Sequence, residues 1–188
     1  MRVGVIAIQG DFDKHREALL GTGTSGLEVV EVRTPEELAT VDRAILPGGE
    51  STTVGLLMQR YGLGSALKQA GMAGMPLWGT CMGMIMLAAE IEDRDQYTLG
   101  LLDITVQRNA FGTQVHSFED EVTVKGLNEP VIGVFIRAPI VTRVGSTTEV
   151  LSEYKGKIVA VKQGNTIGTS FHPELTSDVR MHQWFLNL

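Results

Sequence analysis

The sequence predicts an α/β fold in which a mixed central sheet carries helices on both of its faces. Two observations support this prediction. In the first half, short apolar runs with strand character alternate with segments of helical spacing, which indicates parallel strands joined by helices. In the second half, strand-like runs follow one another and tight-turn signals join some of them, which indicates antiparallel additions to the sheet.

The first half of the chain supplies the predicted parallel strands. Segments with apolar residues at helical spacing separate them, and a Met/Ile/Leu/Ala-rich helical run follows Cys81. Strands are predicted at Val3–Gln9, Leu27–Arg33, Ala44–Leu46 and Pro76–Trp78, and helices at Asp13–Leu20 and Ser51–Tyr61.

Three of these strands end at residues that can take part in chemistry. Gln9-Gly10, Gly48-Gly49 and Cys81 each follow a predicted strand. Because binding sites in such sheets form at the carboxyl ends of the strands, we expect the three corners to converge on one crevice.

The second half is predicted to complete the sheet and close the fold. Lys155-Gly156 and Gly164-Asn165 are hairpin signals, and a final helix over Ser177–Leu188 has Ser177 or Thr176 as its cap. No repeat, linker or low-complexity segment interrupts the chain, so residues 1–188 are expected to form one domain. The predicted strands are Asp103–Arg108, Glu121–Val124, Val131–Ile136, Glu149–Leu151, Ile158–Gln163 and Thr166–Phe171.

Composition argues against several functional classes. The 188 residues carry a formal net charge of −6, and no basic stripe is present to neutralise nucleic-acid phosphates. A single cysteine excludes an internal disulfide framework and a cysteine-rich zinc site, and no metal-ligand spacing appears, so no metal is expected. The first residues are too strand-like for a signal peptide, and no apolar run approaches the ~20 residues of a membrane span. A cytoplasmic location is therefore the default expectation.

The single cysteine, Cys81, is the strongest candidate for a catalytic residue. A short apolar stretch leads into it, Gly79 and Gly83 lie two positions to either side, and a helical run follows. This pattern is the cysteine version of a nucleophile elbow, in which glycines permit a strained turn that exposes the nucleophile. The N-terminus of the following helix would favour the thiolate. The alternative is a buried structural cysteine, which the flanking glycines make the weaker interpretation.

A nucleophilic thiol needs a base, and His172 is the best placed of the four histidines. His172 ends a predicted strand and precedes Pro173 and Glu174. Because residues two apart in an extended segment point the same way, Glu174 is placed to hold the ring in one tautomer. The alternative is a strand-end histidine beside a helix-capping acid. The other histidines are weaker candidates: His15 is expected to be solvated, His182 to pack or lie at the surface, and His116 has only Glu119 as an acidic neighbour at useful spacing.

Attack by Cys81 on a carbonyl would create an oxyanion that needs backbone donors. The N–H of Met82, directly after the nucleophile, is one candidate. The Gly48-Gly49 turn offers a second donor at Gly49, because glycine lets the backbone approach closely. The same turn has an alternative interpretation as a phosphate cradle, but it lacks the Gly-Lys-Ser/Thr ending of a P-loop.

Six segments make the chain resemble the class I, triad-type glutamine amidotransferases over essentially its whole length. Within that family the chain is most similar to the glutaminase subunits of pyridoxal 5'-phosphate synthase. The elbow and the His-Pro-Glu segment are shared by many amidotransferases, whereas the Pro-Gly-Gly-Glu-Ser-Thr, Arg-Asn-Ala-Phe-Gly and Phe-Ile-Arg-Ala-Pro segments narrow the match. The six segments are Ala7–Phe12, Leu46–Thr52, Gly79–Met84, Arg108–Gly112, Phe135–Pro139 and Ser170–Leu175.

The resemblance implies a three-layer, flavodoxin-like fold and the hydrolysis of L-glutamine to L-glutamate and ammonia. The reaction would pass through a glutamyl thioester on Cys81, with His172 and Glu174 completing the triad. An arginine can bind a carboxylate with two hydrogen bonds, and acidic or backbone groups can receive an ammonium, although Arg108 or Arg137 could instead form a surface ion pair. The residues implied to contact the glutamine are Gly48, Gly49, Glu50, Arg108, Ile136 and Arg137.

The resemblance also implies a protein partner. Ammonia would pass to a synthase subunit, a (β/α)8 barrel that makes pyridoxal 5'-phosphate, in a complex of twelve glutaminase and twelve synthase subunits. Pyridoxal phosphate would be the product of that complex, so no cofactor is expected on this chain. Gln9-Gly10 matches the family segment near the site and the partner interface.

Two positions depart from the usual family pattern. Thr113 stands where the family usually has a second arginine, which puts in doubt any contact made by that arginine, at the partner surface for example. Met82 stands where alanine is common, but its backbone N–H is retained. Two other functions stay open: a glutaminase that serves another synthase, such as one for imidazole or purine precursors, and a non-catalytic binding protein on the same fold.

Overall fold

The computed structural model describes residues 1–92, 94–110 and 117–188. Thr113, His116 and the Phe111-Gly112 end of one family segment lie outside the described residues. The strands are β1 (Arg2–Ile6), β2 (Glu28–Val32), β3 (Arg43–Leu46), β4 (Leu77–Thr80), β5 (Ala88–Ile91), β6 (Leu102–Gln107), β7 (Phe118–Val122), β8 (Val131–Phe135), β9 (Ile140–Val144), β10 (Glu149–Tyr154), β11 (Lys157–Gln163) and β12 (Thr166–Thr169).

Helices connect the strands of the first half and close the chain. Two of them begin at side-chain caps: Thr34 forms a capping box with Glu37, and the Glu50 carboxylate accepts from the N–H groups of Thr52 and Thr53. The helices are α1 (Phe12–Gly21), α2 (Pro35–Leu38), α3 (Ser51–Arg60), α4 (Leu63–Met72), α5 (Met82–Leu87) and α6 (Arg180–Leu186), and a 3₁₀ turn covers Pro173–Leu175.

The strands of the described residues form a ten-stranded mixed sheet and a separate antiparallel pair, β7 with β8. The order along the large sheet is β2-β1-β3-β4-β12-β11-β9-β6-β5, and β10 pairs with β11 outside this path. The neighbours from β2 to β12 all run parallel, whereas β11 is antiparallel to β9, β10 and β12. The predicted mixed sheet is confirmed.

Both hairpin signals join antiparallel strands. Lys155 and Gly156 connect β10 to β11 with φ values of 48° and 74°, the left-handed conformations that a tight hairpin turn requires. Gly164, with φ 56°, begins the turn between β11 and β12. The second half therefore folds back on itself as predicted.

Alternate residues of the central strands face two separate apolar cores. In β3, Leu46 packs with one core and Ile45 with the other; in β4, Leu77 and Trp78 divide in the same way. Buried residues of α2–α5 belong to the first core and those of α1 and α6 to the second. Helices thus cover both faces of the sheet, which confirms the three-layer prediction.

Several element boundaries differ from the predictions. The closing helix begins at Arg180 with Val179 as its N-cap, whereas Thr176 accepts from the N–H of Asp178 within a preceding turn. The run after Cys81 is helical only to Leu87, because the chain then enters β5 and pairs with β6. The elements α2, α4, β5 and β9 have no counterpart among the predicted segments.

None of the helices in the described ranges has the length and apolar character that crossing a membrane requires.

Candidate active site

The predicted elbow is present, with the strain at the nucleophile itself. Cys81 connects β4 to α5 with φ 50° and ψ −104°, a region that L-residues other than glycine rarely adopt. The flanking glycines have a different role from the one predicted. A Cβ on Gly79 would collide with the backbone of Gly83, and a Cβ on Gly83 would collide with the carbonyl of Leu46. The two glycines therefore permit close packing, and the turn forces the unusual backbone onto Cys81.

His172 and Glu174 form the expected pair. The ring Nδ1 of His172 lies 2.7 Å from Oε1 of Glu174, and both side chains are almost completely buried. The local geometry differs from the extended segment that was predicted, because Glu174 lies in the 3₁₀ turn that begins at Pro173. A carboxylate accepts only, so Nδ1 carries the proton and Nε2 is left to face the thiol.

Electrostatics favour a protonated His172 ring beside negative charge. Burial alone would lower the pKa of His172, but hydrogen bonds to Cys81 and Glu174 and the negative charges of both raise it from 6.5 to about 10. Burial alone would also raise the pKa of Glu174, but the neighbouring His15 and His172 hold it below its usual range. The three predicted triad residues therefore meet, although Cys81 and His172 are far apart in the sequence.

A cavity of about 330 Å³ opens in front of the thiol. The Cys81 Sγ lies 3.8 Å from the carbonyl oxygen of Ile136, at the edge of this space. The volume is in the range of small-molecule sites. The lining residues are Gln9, Asp11, Gly49, Glu50, Ser51, Cys81, Met82, Ile85, Arg108, Asn109, Ile136, Arg137 and His172.

The three strand ends converge on this cavity as expected. A Cβ on Gly10 would collide with the carbonyl of Gly48, so only glycine lets the first and second corners approach so closely. The side chain of Gln9 accepts a hydrogen bond from the backbone N–H of Glu50 at 3.2 Å. Cys81 completes the convergence, because it lines the same cavity as Gln9 and Glu50.

The predicted oxyanion donors lie next to each other. Gly49 and Met82 both line the cavity, and a Cβ on Gly49 would lie 3.3 Å from the Met82 Cε. Met82 is the first residue of α5, where backbone N–H groups have no partner within the helix. The helix has only six residues, so its dipole adds little to the stability of a thiolate.

Five of the six predicted glutamine-contact residues line the cavity, and Gly48 is the exception. A Cβ on Gly48 would collide with Cε1 of His172, so this glycine lets the His172 ring pack closely against the turn. Arg108 is held at the cavity edge by Gln96, 3.3 Å away, and lies 3.7 Å from Oε1 of Glu50. Arg108 is thus partly paired but still faces the cavity.

The SNO glutamine amidotransferase family matches residues 5–188. The chain belongs to this family. A relative from Geobacillus sp. (strain WCH70), named pyridoxal 5'-phosphate synthase subunit PdxT, is 50% identical over 100% of this chain and 96% of its own. A relative of the same name from Niallia circulans is 48% identical over 100% of this chain and 97% of its own. A crystal structure of a glutamine amidotransferase is 47% identical, with a TM-score of 0.92 over 98% of this chain and 97% of that one.

Backbone strain marks two further residues of this amidotransferase site. Asn109 and Arg137 line the cavity with φ values of 51° and 46°, so they share the left-handed region with Cys81. Such conformations cluster at functional sites, where surrounding structure holds them in place. Sequence reasoning missed Asn109, although asparagine tolerates this conformation better than most residues. Asp11, Ser51 and Ile85 of the lining were also missed as site residues.

Asp11, His172 and Glu174 form the one group of candidate metal ligands among the described residues. Their ligand atoms lie within 4.8 Å of one another, and Asp11 is exposed. The Nδ1 of His172 is already bonded to Glu174, so a cation bound there would have to separate the pair.

The expectation that His15 is solvated is wrong. Its side chain is 0% exposed, because α1 turns His15 together with Ala18 and Leu19 toward the sheet. His182 is also 0% exposed, which agrees with the packing role foreseen for it. Both rings lie beside the indole of Trp78, with ring centroids 5.8 Å and 5.0 Å from it.

Proposed function

We propose that this chain hydrolyses L-glutamine and delivers the ammonia to a pyridoxal 5'-phosphate synthase partner. The observation that carries the proposal is the meeting of Cys81, His172 and Glu174 beside a cavity that is lined by Cys81, His172 and five of the six predicted glutamine-contact residues. Family membership and the names of relatives near 50% identity support the same reaction. Residues 1–188 act in this proposal as one glutaminase domain.

The proposed chemistry starts with the Cys81 thiolate and the His172 imidazolium. The sulfur attacks the side-chain amide carbon of glutamine, and the N–H groups of Gly49 and Met82 stabilise the oxyanion. His172 then gives its proton to the leaving nitrogen, the C–N bond breaks, and ammonia leaves a glutamyl thioester on Cys81. Glu174 stabilises the imidazolium and keeps the ring in place.

Hydrolysis of the thioester restores the enzyme. His172, now neutral, removes a proton from water as the water oxygen attacks the thioester carbon. The bond between the acyl carbon and the Cys81 sulfur breaks, and glutamate leaves. Cys81 is again a thiolate beside the protonated His172 ring.

The proposed substrate contacts follow from charge. Arg108 and Arg137 supply positive groups for the α-carboxylate, and Arg108 is free to shift because its contact with Glu50 is a loose 3.7 Å. The Glu50 carboxylate and the Ile136 carbonyl can receive the α-ammonium. Gly48 and Gly49 bring their backbone close to the reacting amide.

The partner is proposed to be a (β/α)8-barrel synthase subunit in a complex of twelve plus twelve subunits. Ammonia passed directly between subunits would be protected from protonation and loss in water. Pyridoxal 5'-phosphate is the product of the complex in this proposal, and the glutaminase chain itself needs no cofactor. Gln9 lines the cavity, and the proposal puts Gln9-Gly10 near the interface with the partner.

The test is an assay of glutamate release from glutamine with and without a pyridoxal 5'-phosphate synthase subunit. We expect activity with the partner and its loss in Cys81→Ala. Glutamate release by Cys81→Ala at the wild-type rate would exclude the thioester mechanism. A pull-down that recovers a different synthase would keep the glutaminase activity and replace the proposed partner.

A further inference from the structure

A second histidine, His15, lies close to the carboxylate of Glu174. Oε1 of Glu174 is bonded to His172, and Oε2 of Glu174 lies 3.4 Å from Nε2 of His15. The same Nε2 lies 3.0 Å from the hydroxyl of Thr80, and Nδ1 of His15 lies 3.0 Å from Nε2 of His182. All five side chains are buried. Oε2 of Glu174 forms no hydrogen bond within the described residues, so its 3.4 Å contact with His15 is an electrostatic one that links the His172–Glu174 pair to the polar group in the second apolar core.

Hydrogen-bond chemistry decides which nitrogen of His15 carries a proton. A carboxylate oxygen can only accept, whereas the Thr80 hydroxyl can donate or accept. An N–H on Nε2 suits both neighbours, because Thr80 accepts it at 3.0 Å and Oε2 of Glu174 is attracted to it at 3.4 Å, whereas a lone pair there would face the negative charge of Glu174. With the proton on Nε2, Nδ1 accepts, and His182 must donate from its Nε2. Nδ1 of His182 then holds a lone pair, and this atom is one of the buried polar atoms without a partner in the described part of the chain. A buried lone pair costs less than a buried, unpaired N–H.

The two inner histidines are neutral in this arrangement. Burial lowers the pKa of His15, the charge of His172 adds to this effect, and together they outweigh the opposing charges of Glu174 and Asp11. Burial and the nearby His15 lower the pKa of His182 to about 3, against Glu174 and Asp178. A neutral N–H donor can orient a carboxylate and leave its negative charge in place. That charge can then stabilise the His172 imidazolium, which is bonded to the other oxygen of Glu174.

We propose that His15 is a positioning residue of the glutaminase site. Its Nε2–H bonds to Thr80 and also attracts Oε2 of Glu174, which forms no hydrogen bond within the described residues. This attraction favours the orientation of Glu174 that keeps the His172 ring directed at Cys81, and His182 holds His15 in the required tautomer. The inference rests on the proposed function, because the triad it supports is the one that carries that function. His15 touches neither substrate nor thiol, so it acts only through Glu174.

A matched pair of variants isolates the donor. His15→Gln and His15→Met have similar length and both lose the Nδ1 contact with His182, but only glutamine offers an N–H near the position of Nε2. With the synthase partner present, we expect His15→Met to lower kcat for glutamine by roughly tenfold or more, since small displacements of catalytic groups are costly. We expect KM to stay within about twofold of wild type, and His15→Gln to regain most of the lost kcat.

A second readout does not depend on glutamine or on the partner. Cys81 is the only cysteine in the chain, so iodoacetamide consumption by the full-length protein reports on this thiol alone. We expect His15→Met to alkylate several-fold more slowly than wild type at pH 7, because a ring displaced from the sulfur supports less thiolate. His15→Gln is expected to alkylate at close to the wild-type rate.

If His15→Met does not fold, His182→Met against His182→Gln provides the same comparison one step further from the site. Methionine removes the donor that sets the His15 tautomer, and glutamine retains it. We expect a several-fold loss of kcat and of alkylation rate in His182→Met only. Melting temperatures of all variants identify any that act by unfolding.

Equal kcat and alkylation rates in the methionine and glutamine variants would overturn the proposal, since a purely structural role would affect both alike. Failure of the proposed function gives a different pattern: wild type would release no glutamate with the partner, or Cys81→Ala would retain activity. The alkylation comparison stays readable in that case, because it measures only the support of the thiol's base.

Discussion

At the scale of single residues, the nucleophile occupies a conformation that its side chain resists. A non-glycine residue in the left-handed region costs of order 1–3 kcal/mol, and Cys81 with φ 50° has such a backbone. The strain is maintained because Gly79 and Gly83 pack so closely that the turn has no room to relax. The sulfur is thereby held at the cavity edge and not in the core.

The triad residues are expected to act as one unit. Cys81→Ala and His172→Asn should each abolish nearly all glutamate release, and the double variant should lose no more than either single variant. Steady-state assays with the synthase partner measure the three rates, and exposed Glu153→Gln on β10 is a control that should stay at wild-type activity. Partial losses that multiply in the double variant would contradict a shared mechanism.

The raised pKa of His172 makes part of the stability depend on pH. The pKa is about 10 in the folded protein and near 6.5 in the unfolded chain, so the stabilisation is fully present below about pH 6.5 and is lost as pH rises through about 10. We expect the difference in unfolding free energy between wild type and His172→Gln to be largest near pH 6 and to shrink toward pH 10. Urea unfolding across this range measures it, and a constant difference would refute the expected linkage.

Sequence reasoning foresaw that Cys81, His172 and Glu174 would meet because they carry local signatures, the elbow around Cys81 and the histidine two residues before Glu174. It misjudged His15 because the charged neighbours Lys14 and Arg16 suggested a solvated helix start. The spacing of residues along the helix could have predicted its burial. His15 shares a helix face with Ala18 and Leu19, which lie three and four residues further along the chain. Its contact with Glu174 depends on tertiary packing, which no local pattern encodes.

At the scale of elements, the start of α3 combines helix capping with the candidate substrate site. The Glu50 carboxylate accepts from the N–H groups of Thr52 at 3.0 Å and Thr53 at 2.7 Å. The backbone hydrogen bond from Thr53 is the main cause that lowers the pKa of Glu50 to about 2; burial, the next-largest effect, opposes it, and the bond from Thr52 adds to the lowering. The charge that would receive a substrate ammonium is therefore also the cap that fixes the loop.

Removal of this cap should weaken the protein in a pH-dependent way. Glu50→Ala is expected to lower the free energy of unfolding by about 1 kcal/mol at pH 7, a typical cost of a lost N-cap, whereas Glu50→Asp keeps an acceptor and most of the stability. Because the folded pKa lies below the usual 4.5, the stabilisation is present above about pH 4.5 and disappears as pH falls through about 2. Chemical denaturation at pH 7 and pH 3 measures both effects; no difference between the alanine and aspartate variants would contradict capping.

Element types were easier to predict than element limits. Periodicity located the parallel strands, and the Lys155-Gly156 and Gly164-Asn165 pairs located two hairpins. The closing helix was placed too early, because Thr176 and Asp178 use their side chains to cap a turn before Arg180. The helix α4 went unpredicted since its buried residues, Leu63, Gly64 and Leu67, include a glycine that weakens the apolar pattern.

At the scale of the whole molecule, one sheet separates two apolar cores. Ile104 of β6 belongs to the first core and Ile45 of β3 to the second, and four strands lie between β3 and β6 in the sheet. The strand spacing of ~4.8 Å puts the two side chains well beyond contact distance. Each isoleucine is 0% exposed, so a smaller side chain at either position disturbs the packing of its core.

Ile45→Val and Ile104→Val should therefore destabilise the protein independently. Each is expected to cost roughly 0.5–1.5 kcal/mol, and the double variant should show the sum within about 0.5 kcal/mol. Equilibrium unfolding followed by tryptophan fluorescence and by circular dichroism gives both values. Two separate transitions, one for each core, would contradict the expectation that residues 1–188 form one domain.

The convergence of three strand ends was predictable from topology, since parallel strands bring their carboxyl ends to one edge. The shape of the cavity was not, because its far wall comes from Asn109, Ile136 and Arg137, which follow strands of the second half. The antiparallel pairing of β6 with β9 brings Asn109, which follows β6, close to Ile136 and Arg137, which precede β9. Only the family segments pointed to Ile136 and Arg137, and Asn109 was not identified as a site residue.

Among the described residues, the main path of the large sheet ends at β2 and β5, and both end strands carry acidic residues. Glu28 and Glu31 belong to β2, and Glu90 on β5 is followed by Glu92. An unpaired strand edge invites another copy of the chain to add its own strand, and charged side chains oppose that association. On β2 the acids are paired, Glu28 with Arg2 and Glu31 with Arg33, so a strand added there would have to cover charged side chains of both signs. The arrangement that gathers the three corners of the cavity at the centre of the sheet thus leaves charged end strands, which disfavour strand addition by another copy of the chain.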